Sequence, residues 1–136
     1  MKTLAPAEVK LLFADDDWEI LGILREHFSQ RGFDVTEAND GEEALELAFK
    51  DRPHAMVLDV MMPRLNGWEV VKHLRERTDF DNVGVVMLTA IGPNLNALTS
   101  PLYGADTHVD KPFDLADVEA AVHQVLKERS GILISG

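Results

Sequence analysis

The chain has 136 residues, of which 46% are hydrophobic and 27% charged, a composition typical of one globular domain with a single core. Its formal net charge of −11 argues against direct nucleic-acid binding, because phosphate backbones are bound by clusters of Lys and Arg. The chain has no cysteine, which excludes disulfides, thiolate nucleophiles and cysteine-based zinc sites.

The N-terminal segment MKTLAPAEVK lacks the apolar core of a signal peptide, and no apolar run approaches the ~20 residues of a membrane span. We therefore expect a cytoplasmic protein without a membrane partner. The five histidines form no short-spaced ligand pair, which disfavours a histidine-built metal site. No linker-like stretch interrupts the chain, so residues 1–136 are predicted to be one domain. Its core is expected at about 9–128, with 129–136 as a C-terminal tail or the start of a linker.

Short apolar segments alternate with helical patterns along the whole chain. The segments predicted to be strands are 9–14, 33–37, 54–60, 83–90 and 106–110. Capping boxes at Asp40/Glu43 and Asn66/Glu69 predict the starts of the second and third helices, and Asp114 opens the last one. The central strands are apolar on both faces, as in a parallel sheet covered on both sides. The pattern therefore predicts a doubly wound α/β sandwich.

Polar side chains follow the predicted strands at one edge of this sheet. Asp15–Asp17 follow the first strand, Asp59 ends the third, Thr89 ends the fourth and Lys111 follows the fifth. The carboxyl ends of the strands are where ligands bind in open α/β sheets. We therefore expect these side chains to converge on one site.

The three consecutive aspartates admit a plain structural explanation as well. An aspartate commonly caps a helix N-terminus, and acids are favoured at the positive end of the helix dipole. One aspartate is sufficient for that role, so three indicate a further purpose. Asp59 is flanked by apolar residues on both sides, and a buried carboxylate without a partner is costly.

The chemistry of this residue set suits a phosphoryl group bound beside a divalent ion. Mg²⁺ takes one or two carboxylates together with phosphate and water. Asp59 could attack phosphorus and form an acyl phosphate. Thr89 and Lys111 would supply a hydrogen bond and a positive charge to the phosphoryl oxygens.

The segments LLFADDD, VLDVMMPRLNGWEV, MLTA, YGAD and DKPF resemble the receiver domain of bacterial two-component response regulators, including chemotaxis regulators. The resemblance covers about residues 9–128 and includes the separations between the acids, the threonine and the lysine. It implies a flavodoxin-like three-layer sandwich with five helices and a five-stranded parallel sheet in the order 2-1-3-4-5.

The same resemblance implies roles for individual residues. Asp59 would be the phosphoacceptor, and Asp15, Asp16 and the backbone carbonyl of Met61 would hold Mg²⁺ together with it. Thr89 and Lys111 would contact the phosphoryl group, and the bond before Pro112 would be cis. The donor would be a sensor histidine kinase or a phosphotransfer protein.

The resemblance also implies a conformational switch. In that family, the threonine moves toward the phosphate, and a residue of the fifth strand, usually Tyr or Phe, turns inward behind it. Here that position is His108. Met61 and Ile91, which would flank the phosphoryl group, are apolar and bulky, and we expect slow self-dephosphorylation.

Three alternatives explain the same residues differently. A haloacid-dehalogenase-like phosphohydrolase would use Asp15 and Asp17, but it leaves Asp59 unexplained, and no later acidic metal motif is present. A degenerate receiver would serve only as an interaction module. A flavodoxin-like electron carrier is disfavoured, because three aspartates would repel the flavin phosphate.

The segment 91–105 carries no charge, which is unusual in this chain. Pro101 falls where the fourth helix should continue, which predicts a short, distorted helix. Its leucines are explained either as ordinary core or as an apolar surface for self-association or for an output partner.

Overall fold

A computed structural model of the protein describes residues 1–90 and 104–135. Seven strands lie in this part of the chain: β1 (Lys2–Leu4), β2 (Lys10–Ala14), β3 (Asp34–Ala38), β4 (Ala55–Asp59), β5 (Gly84–Thr89), β6 (Thr107–Asp110) and β7 (Ile132–Ile134). Its four α-helices are α1 (Trp18–Gln30), α2 (Gly41–Asp51), α3 (Gly67–Arg75) and α4 (Leu115–Glu128). Short 3₁₀ turns at Pro6–Glu8 and Thr78–Phe80 precede β2 and β5.

Five of the strands form one parallel sheet in the order β3-β2-β4-β5-β6. Counted from the strand at Lys10–Ala14, this order is 2-1-3-4-5, so the predicted fold class and strand order are confirmed. Each predicted strand lies within a residue or two of the observed one. The predicted helix within 91–105 falls mostly on residues 91–103, outside the described residues, so its shape and its apolar surface stay predictions.

Helices cover the sheet on both faces because its inner strands are apolar on both faces. Leu11, Phe13 and Val57 belong to one buried cluster, which also contains residues of α1 and α4. Leu12 and Met56, their neighbours along the strands, belong to a second cluster with residues of α2 and α3. Alternation of side chains along each strand therefore builds three layers with one buried cluster on each face of the sheet, instead of the single core expected from composition.

The two predicted capping boxes differ in their hydrogen bonds. Asn66 Oδ1 accepts a hydrogen bond from the Glu69 amide at 2.9 Å, and Glu69 Oε1 accepts one from the Asn66 amide at 3.0 Å, which completes the box at α3. At α2, Asp40 Oδ1 accepts from the Glu43 amide at 2.8 Å. Glu43 Oε1 accepts from the Asn39 amide instead of that of Asp40, at 2.8 Å. Both helices thus begin where the sequence predicts.

The two ends of the chain form a second sheet that the sequence analysis did not predict. β1 pairs in parallel with β7, in a register that joins Thr3 to Leu133. No helix in the described part of the chain has the length and apolarity needed to cross a bilayer.

Candidate functional site

The order of the strands decides which polar side chains meet at the carboxyl edge of the sheet. β2 lies beside β4 with Ala14 opposite Leu58, so Asp15 comes next to Asp59. β5 lies on the other side of β4, and Thr89 at its end is paired with Asp110 of β6. The sequence positions that were predicted to converge are therefore at adjacent strand ends.

Three of the acids form a compact cluster. Asp15, Asp16 and Asp59 each place a carboxylate oxygen within 4.8 Å of the other two. Asp15 is fully buried and Asp59 is 5% exposed, whereas Asp16 is exposed. Asp15 Oδ1 also accepts a hydrogen bond from the Asp17 amide at 2.9 Å, which orients its side chain. Two buried carboxylates and one open to solvent thus share a small volume.

Asp17 is directed away from this cluster. Its side chain accepts a hydrogen bond from the Glu19 amide at 3.0 Å and caps the N-terminus of α1. The structural explanation for an aspartate before a helix therefore holds for Asp17, and the convergent explanation holds for Asp15 and Asp16. This division also weakens the phosphohydrolase alternative, which needs Asp17 at the site.

Lys111 supplies a cation to the two buried acids. Its Nζ atom lies 3.0 Å from Asp15 Oδ2 and 3.3 Å from Asp59 Oδ1. The backbone amide of Lys111 donates to the Thr89 carbonyl at 2.7 Å, and the bond between Lys111 and Pro112 is cis, as the sequence analysis expected. Lys111 is thus positioned both by its backbone and by its side-chain partners.

The pKa of Asp59 is raised from 3.8 to about 6. Burial is the largest cause and the charge of Asp15 the second, while Lys111 and a hydrogen bond from the Met61 backbone act in the opposite direction. Burial also disfavours the charge on Lys111, but its hydrogen bonds with Asp15 and Asp59 and their charges outweigh burial and raise its pKa. The site therefore carries more negative charge than one lysine neutralises.

The other predicted residues that the structure describes differ in their exposure to solvent. Thr89 is fully buried at the end of β5, and Met61, just beyond β4, is 66% exposed. His108 lies on β6 opposite Met87, partly exposed, and lines an open groove with Asp117 and other residues of the sheet edge and α4. Ile91 lies outside the described residues.

Gly67 has a packing role that was not predicted from the sequence, although it lies within one of the segments quoted above. A Cβ atom at this position would collide with the Asp59 carbonyl oxygen and with the end of the Met87 side chain, and would crowd the Val60 backbone. Only glycine lets the first turn of α3 pack directly against the end of β4. The asparagine–glycine pair at a predicted helix start was the available signal.

The acid cluster fits a hard divalent cation. Its donors are carboxylate oxygens, the ligands that Mg²⁺ prefers, and one of the three carboxylates is open to solvent. The raised pKa of Asp59 indicates that a further positive charge would be favourable there. On its donor chemistry and its charge, the cluster is suited to a magnesium ion.

A three-layer α/β sandwich whose parallel sheet has this strand order belongs to the flavodoxin-like class, in which ligands bind at the carboxyl edge of the sheet, where the carboxylates and the lysine lie in this chain. Within that class, residues 11–123 match the family model described as the response regulator receiver domain. The chain belongs to this family. It is a receiver domain of the two-component response regulators, a signalling phosphoacceptor and not an enzyme in the ordinary sense.

Relatives and solved structures agree with this assignment. The chain is 38% identical over 126 residues to the probable transcriptional regulator ycf27 of Cyanophora paradoxa, covering 93% of this chain and 52% of that protein. It is 40% identical over 119 residues to the response regulator MprA of Mycobacterium leprae (strain TN), covering 88% and 51%. The chain thus spans about half the length of these relatives. The receiver domain of the Francisella response regulator 1452 superposes with a TM-score of 0.80 at 34% identity, covering 88% of this chain and 97% of that one.

Membership in the family brings two general properties. Receiver domains bind Mg²⁺ at an acidic cluster, which here is Asp15, Asp16 and Asp59. They are phosphorylated by histidine kinases or phosphotransfer proteins.

Proposed function

We propose that Asp59 is the residue of this receiver domain that accepts the phosphoryl group. One observation carries the proposal: the Asp59 carboxylate is buried at the end of β4, within 4.8 Å of the Asp15 carboxylate and 3.3 Å from the Lys111 ammonium group. Burial of a carboxylate is costly, and the nearby Lys111 charge offsets that cost only in part, because the pKa of Asp59 stays raised. Asp59 has the right neighbours for phosphoryl transfer, which depends on positioning and on compensation of charge.

The ionisation of Asp59 suits a nucleophile. Its pKa of about 6 lies below neutral pH, so most molecules carry the carboxylate form at pH 7.5, in which an oxygen lone pair is available to phosphorus. Attack by that oxygen forms the acyl phosphate as the bond between phosphorus and the donor nitrogen breaks. The same raised pKa makes the carboxylate less stable than an exposed one, and a neighbouring positive charge relieves this.

Asp15, Asp16, Asp59 and the backbone carbonyl of Met61 are the groups that would hold Mg²⁺. When bound, the ion supplies positive charge to the phosphoryl oxygens and offsets the repulsion between the carboxylates. Lys111 adds a positive charge beside the same carboxylates, since its ammonium group already contacts both buried acids. Thr89 would donate its hydroxyl hydrogen to a phosphoryl oxygen.

We further propose that Thr89 and His108 form the switch. Thr89 ends β5, and His108 lies on the adjacent strand β6 opposite Met87, two residues before Thr89, so a movement of the threonine toward the phosphate would occur beside the strand that carries His108. Replacing His108 by Phe supplies the usual family side chain and should preserve the response to activation, whereas Ala should uncouple it. Chemical shifts of β6 with and without beryllofluoride measure that response.

The proposed role of Asp59 is tested by labelling. Acetyl phosphate or beryllofluoride with Mg²⁺ should modify one residue in the wild type, and Asp59→Asn should not be labelled. Asp34→Asn, an exposed aspartate at the start of β3, is the matched control and should label normally. Label on a different carboxylate in Asp59→Asn would contradict the assignment. Absence of label in the wild type would favour a degenerate receiver, and label on Asp15 would favour a phosphohydrolase.

A further inference from the structure

The two ends of the chain meet in a small parallel sheet at the edge of the domain opposite Asp59. The Lys2 amide donates to the Gly131 carbonyl and the Ser135 amide to the Leu4 carbonyl, both at 2.9 Å. These bonds bracket the three register pairs of β1 and β7. The segment before the receiver core is therefore paired with the segment that follows the last helix.

This terminal sheet is attached to the core by its side chains. Ile132 is 2% exposed, and Leu4 and Ile134 pack against the cluster that joins α1, α4 and the main sheet. Leu133, by contrast, is 43% exposed. One face of the terminal sheet is thus buried against the domain and the other is open to solvent.

Polar contacts of the two residues Arg129 and Ser130 fix the chain just before β7. Ser130 Oγ lies 2.7 Å from the Asn82 carbonyl oxygen and 3.0 Å from that of His54, next to the amino ends of β5 and β4. Arg129 Nε donates to Asp106 Oδ1 at 3.1 Å. These contacts place the terminal sheet at the amino edge of the main sheet, whereas Asp59 lies at the carboxyl edge.

We propose that residues 1–8 act as a clasp on β7 and fix the position at which the chain leaves the domain. A three-residue strand is too short to persist alone, so β7 depends on its partner strand and on the contacts of its buried face. The family relatives extend well beyond the part that this chain matches, so the exit position decides where an attached output region stands. The clasp would hold that region away from the acidic pocket. This inference does not depend on the role proposed for Asp59.

The alternation of backbone groups in a strand identifies two proline variants that differ in whether the lost amide faces β7. Leu4→Pro also loses the packing of the Leu4 side chain, and the cross-link below tests the pairing without that loss. Lys2 and Leu4 face β7, since the amide of the first and the carbonyl of the second bond to it. Thr3, between them, must direct its amide and carbonyl to the outer side. Proline at Leu4 therefore removes an amide that faces β7, whereas proline at Thr3 removes one that faces outward.

Hydrogen exchange of the 136-residue chain is the test. In the wild type, the amides of Leu133 and Ser135 should be protected. Leu4→Pro should accelerate their exchange by about tenfold, the equivalent of one lost hydrogen bond, while Thr3→Pro should leave it within about twofold. Exchange in α4 and circular dichroism should be the same in both variants. Unprotected amides in the wild type, or equal rates in the wild type and Leu4→Pro, would overturn the clasp.

A cross-link provides an independent measurement should Leu4→Pro impair folding. The chain has no native cysteine, so Thr3→Cys/Leu133→Cys has only the introduced pair. These residues are register partners, and adjacent strands lie about 4.8 Å apart, within the Cα separations that disulfides span. Mild oxidation should close an intramolecular disulfide that slows exchange at Ser135. Closure no faster than in the control pair Glu8→Cys/Leu133→Cys would refute the pairing on which the clasp depends.

Discussion

The Nζ atom of Lys111 lies 3.3 Å from Oδ1 of Asp59, yet it lies closer still, 3.0 Å, to Oδ2 of Asp15. One ammonium group is therefore shared between two buried carboxylates. A shared cation compensates each of them only in part, and the pKa of Asp59 stays at about 6 although a lysine is adjacent. The charge imbalance has consequences for the stability of the protein and for the ionisation of Asp59.

Replacing Asp59 by Asn should stabilise the protein without Mg²⁺ in a pH-dependent way. The folded-state pKa is about 6 and the unfolded value about 3.8, so between these pH values the folded state binds more protons. The free energy of unfolding of the wild type therefore falls as the pH rises through this window. Above the window, the full cost of burying the ionised Asp59 carboxylate is present. We expect Asp59→Asn to raise the free energy of unfolding by ~1–3 kcal/mol at pH 7.5 and to change it little at pH 3.5.

Urea unfolding at a series of pH values measures this difference. Asp34→Asn, which changes an exposed aspartate at the other edge of the sheet, should show no such trend. A loss of stability in Asp59→Asn at pH 7.5, or a gain of equal size at both pH values, would show that burial of this charge is not the controlling cost.

Replacing Lys111 by Met should raise the pKa of Asp59 further. Lys111 lowers that pKa both by its charge and by its hydrogen bond, and Met keeps the length of the side chain while removing both effects. The carboxyl ¹³C shift of Asp59, followed through a pH titration, reports the change. Lys127→Met, on the exposed face of α4, is the control and should leave the titration in place. An unchanged midpoint in Lys111→Met would mean that the lysine is displaced from Asp59 in solution.

Replacing Met61 by Asn should shorten the lifetime of the proposed acyl phosphate. Met61 stands two residues beyond Asp59, is 66% exposed and cannot orient a water molecule, whereas an amide could hold one in line with the phosphorus atom. Decay of the phosphorylated protein after removal of the donor measures the effect. Ile23→Asn, an exposed apolar residue on α1, serves as the comparison. Decay no faster in Met61→Asn than in the wild type would remove Met61 from this role.

Two glycine-to-alanine substitutions should change the stability of the protein in opposite directions. Gly67→Ala should destabilise the protein by about 1–3 kcal/mol, because its Cβ would collide with the Asp59 carbonyl and with Met87. Gly22→Ala, in the middle of α1, has open space up to Arg25 at 4.0 Å and should stabilise by up to about 1 kcal/mol. Thermal unfolding of the two variants is sufficient. Equal tolerance at both positions would show that α3 can move away from the end of β4 without cost.

The strands of the main sheet and most residues of the site could be predicted from the sequence. Apolar runs bounded by turns and by caps such as Asn66 predict the strands and helices, because their periodicity is local. The parallel order then requires Asp15, Asp59, Thr89 and Lys111 to lie at one edge, because all strands of such a sheet end on the same side. The resemblance to receivers supplied the strand order, which periodicity does not contain.

Only the tertiary structure decided how the acids divide and how the chain ends pair. Asp15, Asp16 and Asp17 are identical in type, and it is the direction of the chain entering α1 that turns Asp17 to the helix end and leaves the other two in the cluster. Lys2–Leu4 and Ile132–Ile134 are too short to show a period. Their pairing depends on contacts between residues more than a hundred positions apart, which no local pattern records. The pKa of Asp59 likewise results from burial and from distances to Asp15 and Lys111, quantities that exist only in the folded chain.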